Sequence, residues 1–534
     1  MRHRLFLPFA TSGALLAACV GHIGDDVPPA PGDLPGDDDE LEAPSCDDVG
    51  PRMIRRLTNL QLEATLTDLF GPEVPFTEVL TDPVIHGFKI DATAAVIRDL
   101  NAQQLMVQAE TVAAWAADTQ LGTISPCQDH VAPCYRQFVE EFGRRAYRRD
   151  VPPTSVDAYV ALALEETGFV DGARAVLTTM LQSPFLLYRH ERGAPDPEAP
   201  GTFVLTPDEV ADNLAFTLTD APPDDVLREA AAAGRLDTPE DLERETRRLV
   251  QSSAADGRLA RFVDGWLEID DLLTRNKLDP TDQYRDDIAR SMKRETETFY
   301  RHVVRDGGTF ADLLNADYTF VDGPLAAYYG FGGGGDATPV QTPVGDQRPR
   351  GLLGHGAFLA RHALADSSSP VQRGVIVQER FLCSELPLPP SSVDTDIAEP
   401  TEPTTTRARY LAHLTTPGCA SCHRRIDPIG FAFEHYDAFG RYRDQENGYP
   451  IDATGELVVV GGGDAVAVDG LDELSAALAD ESVAQACFRS YSAYYAYGLE
   501  GCNPEAIEAL SGDGASLEDL WVAIVQAPHF THRR

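Results

Sequence analysis

Thr238-Pro239-Glu240-Asp241, running on to Val250, is the stretch whose reading decides the fold. A threonine hydroxyl can accept from the unpaired N–H groups at a helix start. Proline is preset for the first helical position, and two carboxylates complement the positive end of the helix dipole. Leu242, Leu249 and Val250 then return at helical spacing. The same chemistry recurs at Thr206-Pro207-Asp208-Glu209, and Thr58 with Gln61 reads as a capping box whose helix stops at Gly71. Tyr284 to Val304 also carries helical spacing. Long β-branched alternation is scarce, and Leu457-Val458-Val459-Val460 and Thr202-Phe203-Val204-Leu205 are short strand candidates. The fold class expected is mainly α: multidomain helical modules with a few short β-strands. At 534 residues the chain exceeds one core, and three to five modules are expected.

One pattern occurs twice. Met180-Leu181-Gln182-Ser183-Pro184-Phe185-Leu186-Leu187-Tyr188-Arg189 echoes Ile524-Val525-Gln526-Ala527-Pro528-His529-Phe530-Thr531-His532-Arg533. Each follows an aromatic helix, Phe142 to Arg149 in one and Tyr491 to Tyr497 in the other. Two copies of one small helical module, at 125–192 and 466–534, are the reading. The echo concerns packing and assigns no chemistry. Gly332 to Gly335 and Gly461 to Gly463 lack a following Lys-Ser/Thr and the spaced dinucleotide fingerprint, so both are read as loops.

Forty-four basic against eighty-five acidic residues give a net charge of −41, which argues against a nucleic-acid partner. The N-terminus is more specific. Arg2, His3 and Arg4 precede an apolar stretch from Leu5 to Leu16 that is too short to span a bilayer, and Leu16-Ala17-Ala18-Cys19 closes it. This has the form of a lipoprotein signal, with cleavage after residue 18 and lipid on Cys19. The expected membrane partner is therefore a lipid anchor, and the expected location the bacterial cell envelope, periplasmic side or cell surface, on the outer membrane. An acidic, proline-rich stretch through residue 48 reads as a tether. Export permits both disulfides and covalent haem.

The chemical signature is Cys419-Ala420-Ser421-Cys422-His423. Two cysteines one helical turn apart can present thiols to two vinyl groups, and the next histidine faces the iron from the same side, so haem c is the expected cofactor. Zinc would want a second ligand pair, a thioredoxin-like dithiol would want a βαβ setting, and a plain structural role for the cysteines stands as the main rival. Cys127 with Cys134, and Cys487 with Cys502, are close enough for bridges, which leaves Cys46 with Cys383 by elimination. After residue 18 the methionines are Met53, Met106, Met180 and Met292, all upstream of His423. A haem here is then His/His ligated or five-coordinate, with His362, His413, His355 and His435 as candidate second ligands. Phe431, Phe433, Tyr436 and Phe439 suit a haem wall or ordinary packing equally. Arg441 and Arg443 suit propionates or salt bridges.

At these residues the chain resembles a planctomycete and myxobacterial family of large secreted cytochrome-c-like proteins built from a run of domains of unknown function. Four blocks carry the likeness. The first two are Arg55-Arg56-Leu57-Thr58-Asn59, and Gly143 to Arg149 with Leu181-Gln182-Ser183-Pro184-Phe185. The third runs from Leu205 to Asp224. The fourth runs from Arg350-Gly351-Leu352-Leu353 through Ser369-Pro370-Val371, Arg373-Gly374 and Cys383 to Cys419–His423, Asp427-Pro428, Gly430-Phe431, Gly440 and Arg443. The resemblance implies a haem-like role for Cys419, Cys422 and His423, places His362 and His413 on familiar pattern positions, and supplies no enzyme activity. The expected division is 1–18 signal peptide, 19–50 tether, 51–120, 125–192 and 202–332 helical domains, 345–460 cytochrome-c-like domain, and 466–534 helical domain. Two functions compete: a monohaem redox or electron-transfer lipoprotein serving an unknown redox partner protein, and a non-haem, disulfide-stabilised surface scaffold.

Overall fold

The computed structural model describes residues 49–332, 336–345, 348–387, 402–416, 418–459, 465–499, 504–512 and 514–534. The signal, Cys19, most of the tether, Cys46, Cys502 and both glycine runs save Gly332 lie outside these. Among the described residues are 23 α-helices and eleven strands of two to four residues, in five small antiparallel sheets. The chain is mainly α. No helix among them is long and apolar enough to cross a membrane.

Local capping chemistry sets the helix starts. Thr58 and Thr206 make reciprocal capping boxes with Gln61 and Glu209, and Thr238 accepts from the Asp241 N–H. The resulting helices span Asn59–Phe70, Pro207–Thr219 and Pro239–Gln251. The strand expected from Leu457 instead ends there, spanning Thr454–Leu457 and pairing with Val466–Asp469.

The two echoing segments share an order of elements. Three helices, a short proline-initiated helix and a strand run from Ala132 to Glu191, and again from Ser482 to Arg533. Their strands are tied to distant segments of the chain. Tyr188–Glu191 pairs with Met53–Arg56, and His532–Arg533 pairs with Phe203–Val204. Arg189 and Arg533, at matching positions of the echo, both reach Glu191, at 3.5 and 2.6 Å. Arg55 joins them at 3.3 Å. Burial alone would push the Glu191 carboxyl up, but Arg533, Arg55 and Arg189 outweigh it and hold it down to about 2.

Two large cores organise the molecule. One gathers apolar residues from Leu57 to Leu187 together with Phe216. The other runs from Leu205 to Phe530, including Trp266, Phe358, Phe433 and Trp521, and takes in Phe88. Segments 202–332, 345–460 and 466–534 thus share one core. Their helices are mostly short, and burying an apolar face requires the neighbours' faces.

Within this core His355 and His362 are buried. Desolvation pushes both imidazoles from 6.5 down to about 3, with Arg348 adding to the effect at His355. Both rings are neutral in the fold and protonate freely on unfolding. Their stabilisation is complete above pH 6.5 and drains as pH falls toward 3, at about 1.4 kcal/mol per pH unit for each ring. Urea unfolding at stepped pH should show this loss, with a shallower slope in His362→Asn; equal slopes would contradict it.

Candidate functional site

The motif occupies the first turn of the helix Ala420–Phe431, with Cys419 at its N-cap. The Cys422 and His423 N–H groups both donate to the Cys419 carbonyl, at 3.2 and 3.1 Å, which draws the three residues into one turn. Two close backbone crossings fix this helix against Pro370–Arg380. A Cβ on Gly374 would lie 2.1 Å from the Ile426 carbonyl oxygen, and one on Gly430 would lie 1.9 Å from that of Pro370. Gly455 makes the same approach to Pro428. Gly430→Ala must therefore push the two helix backbones apart. It should lower stability by about 3 kcal/mol or more, at the upper end of overpacking effects. Thermal unfolding checks this, and a Gly430→Ala chain as stable as the parent would contradict it. The fully buried Arg373 tightens the same junction, donating to the carbonyls of Leu359, Phe433, Tyr436 and Asp437 at 2.8–3.1 Å.

Three side chains converge at the site. His423 and Asp427 stand four residues apart on one helix face, and His423 Nδ1 donates to Asp427 Oδ1 at 2.8 Å. Asp427 is 0 % exposed. His413, on the short 3₁₀ segment Leu411–Leu414, brings its Nδ1 to 3.6 Å from Asp427 Oδ2, and its ring centroid lies 4.3 Å from that of His423. Burial and then the neighbouring His423 lower the His413 pKa, and Asp427 only partly offsets them. One ligand atom from each of the three lies within 4.8 Å of the others, a spacing that could hold a metal ion.

Cys419 and Cys422 are free thiols, both half-buried. Cys127 and Cys134 form a disulfide. The Cys487–Cys502 and Cys46–Cys383 pairings require correction: Cys487 bonds Cys383, 104 residues away in sequence. Cys383 lies just past the helix Pro370–Arg380 and Cys487 on the helix Ser482–Tyr497, which meet where the Tyr491 hydroxyl donates to the Glu379 carbonyl, and spatial approach outranks sequence proximity.

Of the other ligand candidates, His362 is taken up in the core, its Nε2 donating to the Leu267 carbonyl at 2.8 Å. His355 lies between Thr296 and Thr319, and His435 bonds the Arg443 carbonyl while stacking on Tyr442. His413 does meet His423, but beside it. Two imidazoles on opposite faces of one iron have ring centroids roughly 6 Å apart, given bonds of about 2 Å. Phe431, Phe433, Tyr436 and Phe439 are buried as packing, Phe433 stacking on Phe358. Arg441 pairs with Asp279 and Asp437, and Arg443 with Glu434 and Glu446. Sequence reasoning missed Asp427 as a partner of His423, although the four-residue spacing was the available signal.

The donor set fits a c-type haem in its attachment half. Two free thiols and a histidine share one turn, and the carboxylate on Nδ1 leaves Nε2 as the ligand atom.

The molecule defined by this fold and site is a mainly helical protein with a Cys-x-x-Cys-His turn. Comparison with protein families returns four matches in chain order, each described as a protein of unknown function. They are PSD3 (DUF1587) over residues 55–118, PSD5 (DUF1595) over 134–191, PSD4 (DUF1592) over 205–331 and PSCyt3 (DUF1588) over 349–446. This run supports a family of such multidomain proteins, and Cys419 to Asp427 lie within the PSCyt3 match, whose name is of cytochrome type. No curated protein and no solved structure matches the chain.

Proposed function

We propose that the protein is a lipid-anchored envelope protein, of the planctomycete and myxobacterial kind, that carries one covalently attached c-type haem and serves redox or electron transfer. The observation that carries this reading is the state of the cysteines. Of the six described, four are paired in disulfides, while Cys419 and Cys422 stay free on the turn that ends in His423. A bound haem would supply one-electron iron chemistry. Cys419 and Cys422 would form its thioethers and His423 Nε2 would ligate it. Asp427, accepting from Nδ1, would orient the ring and strengthen it as a donor, as carboxylates do behind metal-bound histidines. Export and lipid on Cys19 rest on the sequence from Arg2 to Cys19.

The scaffold reading has one specific support: the Cys383–Cys487 disulfide joins the segment holding the motif to the C-terminal helices. The test is production in a host with haem-c maturation machinery. The haem reading expects a c-type visible spectrum after alkaline pyridine treatment, whereas a colourless, correctly folded chain would favour the scaffold.

A further inference from the structure

We propose that His413, His423 and Asp427 bind one divalent transition-metal ion, of the zinc and cobalt class, in the chain that carries no haem. This goes beyond the haem reading and does not depend on it.

The three ligand groups stand close enough to share an ion. Bonds of about 2.1 Å at octahedral or tetrahedral angles put neighbouring ligand atoms roughly 3.0–3.4 Å apart. His423 Nδ1 and His413 Nδ1 stand 2.8 and 3.6 Å from the two separate oxygens of Asp427, Oδ1 and Oδ2, and one ligand atom from each residue lies within 4.8 Å of the others, so small side-chain shifts would close the set on an ion.

The second observation is an unmet electrostatic demand. Asp427 is wholly buried, yet its Oδ2 has no hydrogen-bond partner among the described residues, and neither does the buried His413 Nδ1. They face each other at 3.6 Å, too far for a hydrogen bond. An unsatisfied buried carboxylate oxygen costs about 1–3 kcal/mol or more. A cation between these atoms would satisfy both, and would take the place of the His423 Nδ1 proton. Two imidazoles and one carboxylate suit zinc, cobalt, nickel or ferrous iron better than calcium or magnesium, which prefer all-oxygen shells. Three protein ligands also leave positions for water.

The surroundings hold the ligands in place. Asp427 and His423 ride on the helix locked at Gly374 and Gly430, and the Tyr410 ring packs edge-on to His413 with centroids 5.4 Å apart. The ion would occupy the Nδ1 edge of His423, opposite the Nε2 edge that the haem reading gives to iron. A protonated Nδ1 cannot ligate, so the metal-bound form belongs to the haem-free chain.

The experiment uses the full-length chain with Cys419→Ala and Cys422→Ala, which has neither motif thiol nor covalent haem. It is titrated with Co²⁺ under visible absorption and then with Zn²⁺ by calorimetry. The expected result is one equivalent of cobalt with d–d bands, displaced by zinc, and affinity at least tenfold weaker on adding His413→Ala. His413 is half-buried on the short 3₁₀ segment and belongs to neither large hydrophobic core, so that variant should keep the parent's circular dichroism; Asp427→Asn, which should also weaken cobalt binding, gives an independent second reading. Absence of a stoichiometric cobalt band, or equal affinity with and without His413, would overturn the proposal. The haem reading is judged separately, on the unsubstituted chain from a maturing host.

Discussion

Replacing both Cys419 and Cys422 by alanine is expected to abolish covalent haem completely while leaving the fold intact. Both thiols are free and half-buried, so their loss removes no cross-link and leaves no deep cavity. The two roles open to this turn make opposite predictions. If the pair were a structural disulfide, its removal would lower stability by about 2–4 kcal/mol. If it is an attachment site, the haem-free double variant should unfold within about 0.5 kcal/mol of the haem-free parent, as expected away from packing and pairing features. Haem staining of a denaturing gel and urea unfolding, run on both chains, separate these outcomes. Retained covalent stain in the double variant would refute attachment through these residues.

The second large effect is expected at Glu191. Glu191→Ala leaves Arg55, Arg189 and Arg533 facing one another in the interior with their shared anion gone. Removing one partner of a buried pair typically costs about 3–5 kcal/mol, because the uncompensated charge stays behind. The loss should be at least of that order here, since three cations depend on one carboxylate. Glu191→Gln keeps an acceptor but not the charge, and should fall between parent and alanine variant. Equilibrium urea unfolding at neutral pH measures both. A change below about 1 kcal/mol in the alanine variant would show that solvent reaches the cluster.

This cluster also marks how far the chain could be read from its sequence. Helix starts at Thr58, Thr206 and Thr238 were legible because a cap is decided by residues three positions apart. The echo ending in Arg189 and Arg533 was legible as pattern, but that both arginines meet Glu191 depends on how two strands are brought together. The Cys383–Cys487 bond was hidden for the same reason, its partners lying 104 residues apart. Asp427 shows a different limit. Its spacing from His423 was visible, but which face of the helix turns inward is set by Gly374 and Gly430, whose crossing no local pattern announces. His362 illustrates the converse. Beside a haem-like motif a histidine reads as a ligand candidate, yet its ring is spent on the Leu267 carbonyl in the core.

What Cys419 and Cys422 hold is tested most directly by intact-mass spectrometry of the denatured, reduced protein from a haem-c-maturing host. The expected result is a chain heavier by one haem, with the added mass mapping to the peptide containing Cys419 to His423. An unmodified mass, with both motif thiols open to alkylation, would contradict covalent attachment.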